Sequence, residues 1–176
     1  GYTVSQFLRT SIGVLSPNMM TDFNINPDNM GLLGGVFFLS FAIFQIPAGI
    51  LIDKYGPRKV MSVVIIFAVL GSIIFALSNF FYTLIIGRVL MGLGCSICLM
   101  GSLVLITRWK DSDQFSKLAG IILAVGGIGG LLATTPLSYF SELFGWRLSF
   151  WLAAVVTFCV MLLYYFMIKM KKYRLD

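Results

Sequence analysis

The chain has 176 residues, 59% of them apolar and 11% charged, with 13 Lys and Arg against 7 Asp and Glu and a mean hydropathy of +0.94. Soluble domains hold about 45–50% apolar and about 25% charged residues, and this much apolar surface on a soluble fold would aggregate. A soluble enzyme, a disordered chain and a nucleic-acid-binding domain are therefore excluded, and the net charge of +6 reads as the topology signal of a multi-pass membrane protein. Histidine is absent, which removes His-based catalysis and most zinc chemistry. Cys95, Cys98 and Cys159 all lie in apolar runs, so neither a disulfide framework nor a metal site is expected.

A helix needs about 20 apolar residues to cross the hydrocarbon layer, and six such runs follow one another along the chain. They cover about Tyr2 to Phe23, Met30 to Ile52, Val60 to Ser78, Phe80 to Ile106, Leu118 to Phe140 and Arg147 to Ile168. The linkers between them are short and polar: Asn24 to Asn29, Asp53 to Lys59, Arg108 to Lys117, and Ser141 to Trp146. The first run has no basic region before it and bears a polar stripe, so it reads as a span and not as a cleaved signal. Ten of the 13 basic residues share one side of this arrangement: Lys54, Arg58, Lys59, Arg108, Lys110, Lys117, Lys169, Lys171, Lys172 and Arg174. Asp22, Asp28 and Glu142 fall on the other side, with Arg147 at its edge. The positive side is expected to be cytoplasmic, which places both termini there.

Set against itself at an offset of 89, the chain brings Gly31 onto Gly120, Pro47 onto Pro136, Asp53 onto Glu142, Tyr55 onto Phe144, Gly56 onto Gly145 and Arg58 onto Arg147. Spans 2 and 5 and the turns after them are thus related, although the two turns face opposite sides. The expected fold is all-α, with six transmembrane helices as a 3+3 inverted repeat, a construction found in secondary transporters. The first repeat covers about 1–78 and the second about 79–168, followed by a basic tail, 169–176.

Two charges lie inside spans, Arg9 in span 1 and Arg88 in span 4. Such residues are costly in a bilayer and are functional-site candidates by default. Arg9 shares a helix face with Ser5, Gln6, Gly13 and Ser16, and Arg88 shares one with Gly92, Cys95 and Ser102. The rival readings are snorkelling to water for Arg9 and a structural bond to backbone carbonyls for Arg88. Gly126-Gly-Ile-Gly129-Gly130 lies inside a span with no strand before it, and reads as a packing face pairing Gly126 with Gly130. Cys95-Ser-Ile-Cys98 reads as small packing residues. Phe37, Phe38, Phe41 and Phe44 read as core or lipid-facing aromatics, and Trp109, Trp146 and Trp151 as interfacial anchors.

The turn after span 2, Gly49-Ile-Leu-Ile-Asp53-Lys-Tyr-Gly56-Pro-Arg58-Lys59, resembles the signature loop of the major facilitator superfamily. Span 4 carries Arg88-Val-Leu-Met-Gly92-Leu-Gly94, which resembles that superfamily's fourth-helix motif. The resemblance covers the whole chain and implies the N-terminal six-helix half of a twelve-span transporter. Gly1 at the start and Asp176 at the end fit an excised piece. By this resemblance Gly49, Asp53, Gly56, Arg58 and Lys59 form a cytoplasmic gate, with Gly49 allowing close helix approach, Gly56 a sharp turn and Asp53 meeting a helix N-terminus or an Arg.

The resemblance also implies that spans 1 and 4 line a central cavity, where Arg9 and Arg88, with no intramembrane acid to neutralise them, attract a small organic anion. The spacing of Arg9 and Pro17 is similar to organophosphate:phosphate antiporters, and the Arg9 and Arg88 pair to anion:cation symporters. The antiporters' second-helix Lys and fifth-helix His correspond here to Gln45 and Gly129. The symporters' acids beside the first-helix Arg and after the fourth-helix Arg correspond to Leu8 and Cys95. The expected function is alternating-access transport in a plasma or bacterial inner membrane, with Arg9, Arg88 and Gln45 facing the substrate. No catalytic residue and no cofactor is expected. The expected partners are the lipid bilayer, a small-molecule substrate and either a second six-helix half or a second copy of the chain, with no nucleic acid. The alternatives are an exporter of drugs or other lipophilic compounds, and a non-transporting or self-assembling six-helix module.

Overall fold

The computed structural model describes residues 1–107 and 112–172, with side chains described over 1–107 and 114–166. Seven helices and no strand occur among the described residues: α1 (Tyr2–Phe23), α2 (Pro27–Tyr55), α3 (Pro57–Ala76), α4 (Phe81–Thr107), α5 (Ser112–Leu132), α6 (Thr135–Phe144) and α7 (Trp146–Lys172). Five stretches are long and apolar enough to cross a membrane: α2, α3, α4, Gln114–Phe144 and Trp146–Phe166. The first predicted span is helical over its full expected length. Its polar residues, Arg9, Asn18 and Asp22 among them, set it apart from these five apolar stretches. Arg108, Trp109, Lys110 and Arg174, which bear on the predicted charge asymmetry and interfacial anchoring, lie outside the described residues, as do the side chains of Lys169, Lys171 and Lys172.

Local chemistry sets the helix ends. Asn24 closes α1 in the left-handed conformation, φ 49° and ψ 49°, which Asn tolerates better than most residues. Pro27 opens α2, where its missing N–H costs nothing, and Asp28 lies in the positive first turn. Between α2 and α3 the expected polar linker shrinks to one residue. Gly56 turns the chain at φ 84° and ψ 149°, and its N–H donates to the Ile52 carbonyl at 2.8 Å. Gly145 turns the chain between α6 and α7 at φ 83° and ψ 151°, donating to the Ser141 carbonyl at 2.9 Å. Both the glycines and their acceptors are 89 residues apart.

The fifth predicted span falls within one apolar stretch, Gln114–Phe144, interrupted between α5 and α6 for a local reason. Pro136 has no N–H to donate to Leu132, and its ring crowds that carbonyl. The chain answers at Ala133 and Thr134. Thr134 takes φ −101° and ψ −118°, and its N–H and Oγ1 both donate to the Leu131 carbonyl, at 3.1 and 2.6 Å. Pro47, its partner at the 89-residue offset, lies inside an uninterrupted α2.

Small residues determine how the helices meet. In a bilayer apolar side chains gain little by leaving lipid, so close packing must hold the helices together. A Cβ on Gly94 would strike the backbone of Ala68, and one on Gly92 would strike Ser40 and the Phe37 carbonyl. The fourth-helix glycines therefore bring α3 and α2 against α4. Between α1 and α5 the contacts are made by Gly126 against the Tyr2 ring and Gly129 against the Thr3 carbonyl. The expected pairing of Gly126 with Gly130 is corrected to Gly126 with Gly129, because Gly130 has only Thr10 Oγ1 near it, at 4.0 Å. Gly49 is likewise corrected: a Cβ there would meet Met100 Sδ at an ordinary 3.9 Å, so no close approach depends on it. Apolar side chains remain exposed along α2 (Leu39, Ile43, Ile46, Ile50) and α5 (Ile121, Ile128, Leu131).

Candidate substrate site

Arg9 lies 14 residues from the Phe23 end of α1, about 21 Å along the helix at 1.5 Å per residue. It is exposed, with its guanidinium carbon 4.6 Å from the centroid of the Phe38 ring on α2. No ion pair to Arg9 occurs among the described residues. Gly13, one turn on, is also exposed, so the two open one face of α1. The rest of the predicted polar stripe is occupied locally: Gln6 Nε2 donates to Tyr2 Oη at 2.7 Å, Ser16 Oγ lies 3.6 Å from Met20 Sδ, and Ser5 is buried.

Arg88 is placed quite differently. It is fully buried at 0% exposure, with its guanidinium carbon 5.7, 5.2 and 5.9 Å from the ring centroids of Phe37, Phe75 and Phe150. Nη1 donates to the Leu8 carbonyl at 2.9 Å, while Nε and Nη2 have no partner. This is the carbonyl-bonded arrangement, with the acceptor contributed by the residue before Arg9. Gly92 and Cys95, on the same face of α4, are buried with it. The structure thus places Arg9 on an open face and Arg88 in the packed interior of the helices. Gln45 is half-buried on α2, two residues before Pro47, and makes no hydrogen bond among the described residues.

In the signature turn, Asp53 lies in the last turn of α2 and not in a loop, exposed and without an ion pair among the described residues. Lys54 sits over the Tyr55 ring at 5.3 Å. Lys59 is exposed and Arg58 half-buried in the first turn of α3.

A polar cluster at the other end of the helices escaped the sequence reading. Asp22 Oδ2 accepts from Trp146 Nε1 at 2.7 Å and from Arg147 Nη1 at 3.3 Å, and Arg147 Nη2 donates to the Ser78 carbonyl at 3.3 Å. Trp146, expected at the interface, is instead buried at 3% exposure. The signal available in sequence was that Asp22 and Arg147 fall on one side of the membrane. Their pairing needs the end of α1 beside the start of α7.

These features define a multi-pass helical membrane protein with an exposed cation, Arg9, on an open face of α1. The sequence profile of the Major Facilitator Superfamily matches residues 1–174, and the chain belongs to that superfamily. It is similar to a hexuronate transporter of Bacillus subtilis, 24% identical over 93% of this chain and 39% of that protein. A quinolone resistance transporter of Acinetobacter baumannii is 28% identical over 88% of this chain and 36% of that protein. A probable sulfoacetate transporter of Cupriavidus necator is 23% identical over 96% and 39%. The chain thus spans about two fifths of the length of these curated relatives.

Proposed function

We propose that the chain is the N-terminal six-helix half of a secondary active transporter that moves a small organic anion by alternating access. The observation that supports this most is Arg9, an exposed guanidinium in the first half of α1 with no ion pair among the described residues. Arg presents a planar fork suited to carboxylate, sulfonate or phosphate. Relatives described as hexuronate and sulfoacetate transporters are consistent with that chemistry. In this reading Phe38 backs the guanidinium and Gln45 supplies a neutral amide to the same substrate. Arg88 holds the carbonyl beside Arg9 and faces substrate only in a state that releases that bond.

The apolar faces of α2 and α5 would dock the second half of the transporter, with Asp53, Gly56, Arg58 and Lys59, and Gly49 behind them, as the cytoplasmic gate. The 3+3 inverted repeat is supported by the matching turns at Gly56 and Gly145, and both termini would lie in the cytoplasm. A second reading, export of lipophilic drugs, is favoured by the quinolone resistance relatives and requires Arg9 to be dispensable. The test is uptake of labelled sugar acids and sulfonates by vesicles holding the full-length protein. Arg9→Gln is expected to abolish uptake with membrane insertion unchanged, and full uptake in that variant removes Arg9 from the site.

A further inference from the structure

Arg88 is the one buried charge among the described residues, and packing alone does not account for it. It sits where α4 meets α1, α2, α3 and α7: the rings of Phe37, Phe75 and Phe150 surround the guanidinium, and its hydrogen bond goes to α1. With Nε and Nη2 unpartnered, the cost of burying this charge offsets what its contacts gain. An apolar side chain of the same size would fill the space equally well. What it would not do is hold the Leu8 carbonyl, to which Nη1 donates at 2.9 Å.

That carbonyl belongs to the peptide joining Leu8 to Arg9. The peptide is planar, so a bond to its oxygen fixes the plane that also carries the N–H and Cα of Arg9. The same oxygen accepts from Ser11 Oγ at 3.0 Å, and two side chains thus converge on one carbonyl. Leu8 is fully buried and Arg9 exposed. Successive helical residues point about 100° apart, so seating the first sets the direction of the second. Arg9 has no hydrogen bond or ion pair of its own among the described residues; its guanidinium is backed by Phe38.

A second path leads from Arg88 to the same place. Phe38 packs edge-on against Phe37, with centroids 5.7 Å apart and planes at 85°, and Phe37 is one of the rings around Arg88. Gly92, one turn along α4, lies so near the Phe37 carbonyl that a Cβ would strike it. This stretch of α2 is therefore held against the same face of α4 that carries Arg88.

We propose that Arg88 is a positioning residue for the anion site: without touching the substrate, it aims Arg9 through the Leu8 carbonyl, shared with Ser11, and through the Phe37–Phe38 pair. The inference rests on the reading that Arg9 binds the anion. Aim matters there because a planar guanidinium must present two N–H groups to two oxygens at once.

The test is initial-rate uptake of labelled glucuronate and sulfoacetate by vesicles holding the full-length protein, with thermal unfolding as the check on the fold. Arg88→Met should raise KM about tenfold and leave the maximal rate within about twofold, as for a binding group moved out of line. Arg88→Lys, which keeps a cation and a donor, should stay within about threefold of the wild-type KM, about one net hydrogen bond. Ser11→Ala removes the other donor to the Leu8 carbonyl with Arg88 and its charge in place, and should raise KM about threefold, again one hydrogen bond. It also decides the matter should Arg88→Met fail to fold. Wild-type KM in Ser11→Ala, or in a folded Arg88→Met, overturns the positioning role while leaving Arg9 as the anion ligand. So does a KM in Arg88→Lys as high as in Arg88→Met. Full uptake in Arg9→Gln, or no uptake of either anion by wild type, overturns the anion reading and this inference with it.

Discussion

Asp22 Oδ2 accepts from both the indole N–H of Trp146 and the guanidinium of Arg147, and the two bonds differ in worth. The Arg147 pair is partly exposed on both sides, 44% and 42%, and such pairs contribute about 0–1 kcal/mol. Trp146 is buried, so losing its acceptor strands a donor, at about 1–3 kcal/mol. Asp22→Ala should therefore lower the unfolding temperature more than Arg147→Ala does, and equal shifts would show the ion pair to dominate. At Arg88 the contributions oppose one another. Contacts with the rings of Phe37, Phe75 and Phe150 stabilise by about 0.5–2 kcal/mol each, and the charged hydrogen bond to Leu8 by about 1.5–3 kcal/mol. Burying a guanidinium with Nε and Nη2 unpartnered costs several kcal/mol, about as much. Arg88→Met, which keeps volume and removes charge, should leave the melting temperature within about 3 °C of wild type, while Arg88→Ala should lower it by creating a cavity. A large fall for Arg88→Met would mean that the guanidinium has partners this balance omits.

The helices themselves were largely legible in sequence, because apolar runs near the length of a bilayer crossing have few other readings. What was not legible lies where local rules compete. Pro47 and Pro136 occupy matching places, yet α2 passes through its proline and the fifth span breaks into α5 and α6. Composition does not reveal which neighbours satisfy a freed carbonyl. Arg88 illustrates the same limit at the site: its place inside a span flagged it, but whether it faces a cavity or the interior depends on α1 lying beside α4. The glycines test the packing account. Gly94→Ala would push a methyl into the Ala68 backbone and should destabilise by about 1–3 kcal/mol. Gly145 has open space around it, so Gly145→Ala should show only the backbone cost of φ 83°, about 1–3 kcal/mol. Thermal unfolding checks both, and wild-type stability in Gly94→Ala would mean that α3 and α4 meet less closely.

At the scale of the molecule, the distribution of exposed apolar side chains separates two kinds of surface. α3 is the most enclosed of the five spans, whereas α2 and α5 leave most of theirs uncovered. In a bilayer such faces tolerate lipid, so exposure alone does not require a protein partner. In the proposed reading, what ties them to a second half is Arg9, on the face of α1 next to α2. A guanidinium facing acyl chains is costly, and is accommodated if its face borders water and an anion. The central claim is therefore that Arg9 binds an anion in a cavity shared between two halves. It is tested most directly by ligand-induced thermal stabilisation of the purified full-length protein. The ligands would be sugar acids, sulfonates, dicarboxylates, phosphate esters, organic cations and neutral amphiphiles, with Arg9→Gln measured beside wild type. The account predicts stabilisation by anions alone, lost in Arg9→Gln. Stabilisation by cations or amphiphiles that persists in Arg9→Gln would contradict it and place the protein among exporters of lipophilic compounds.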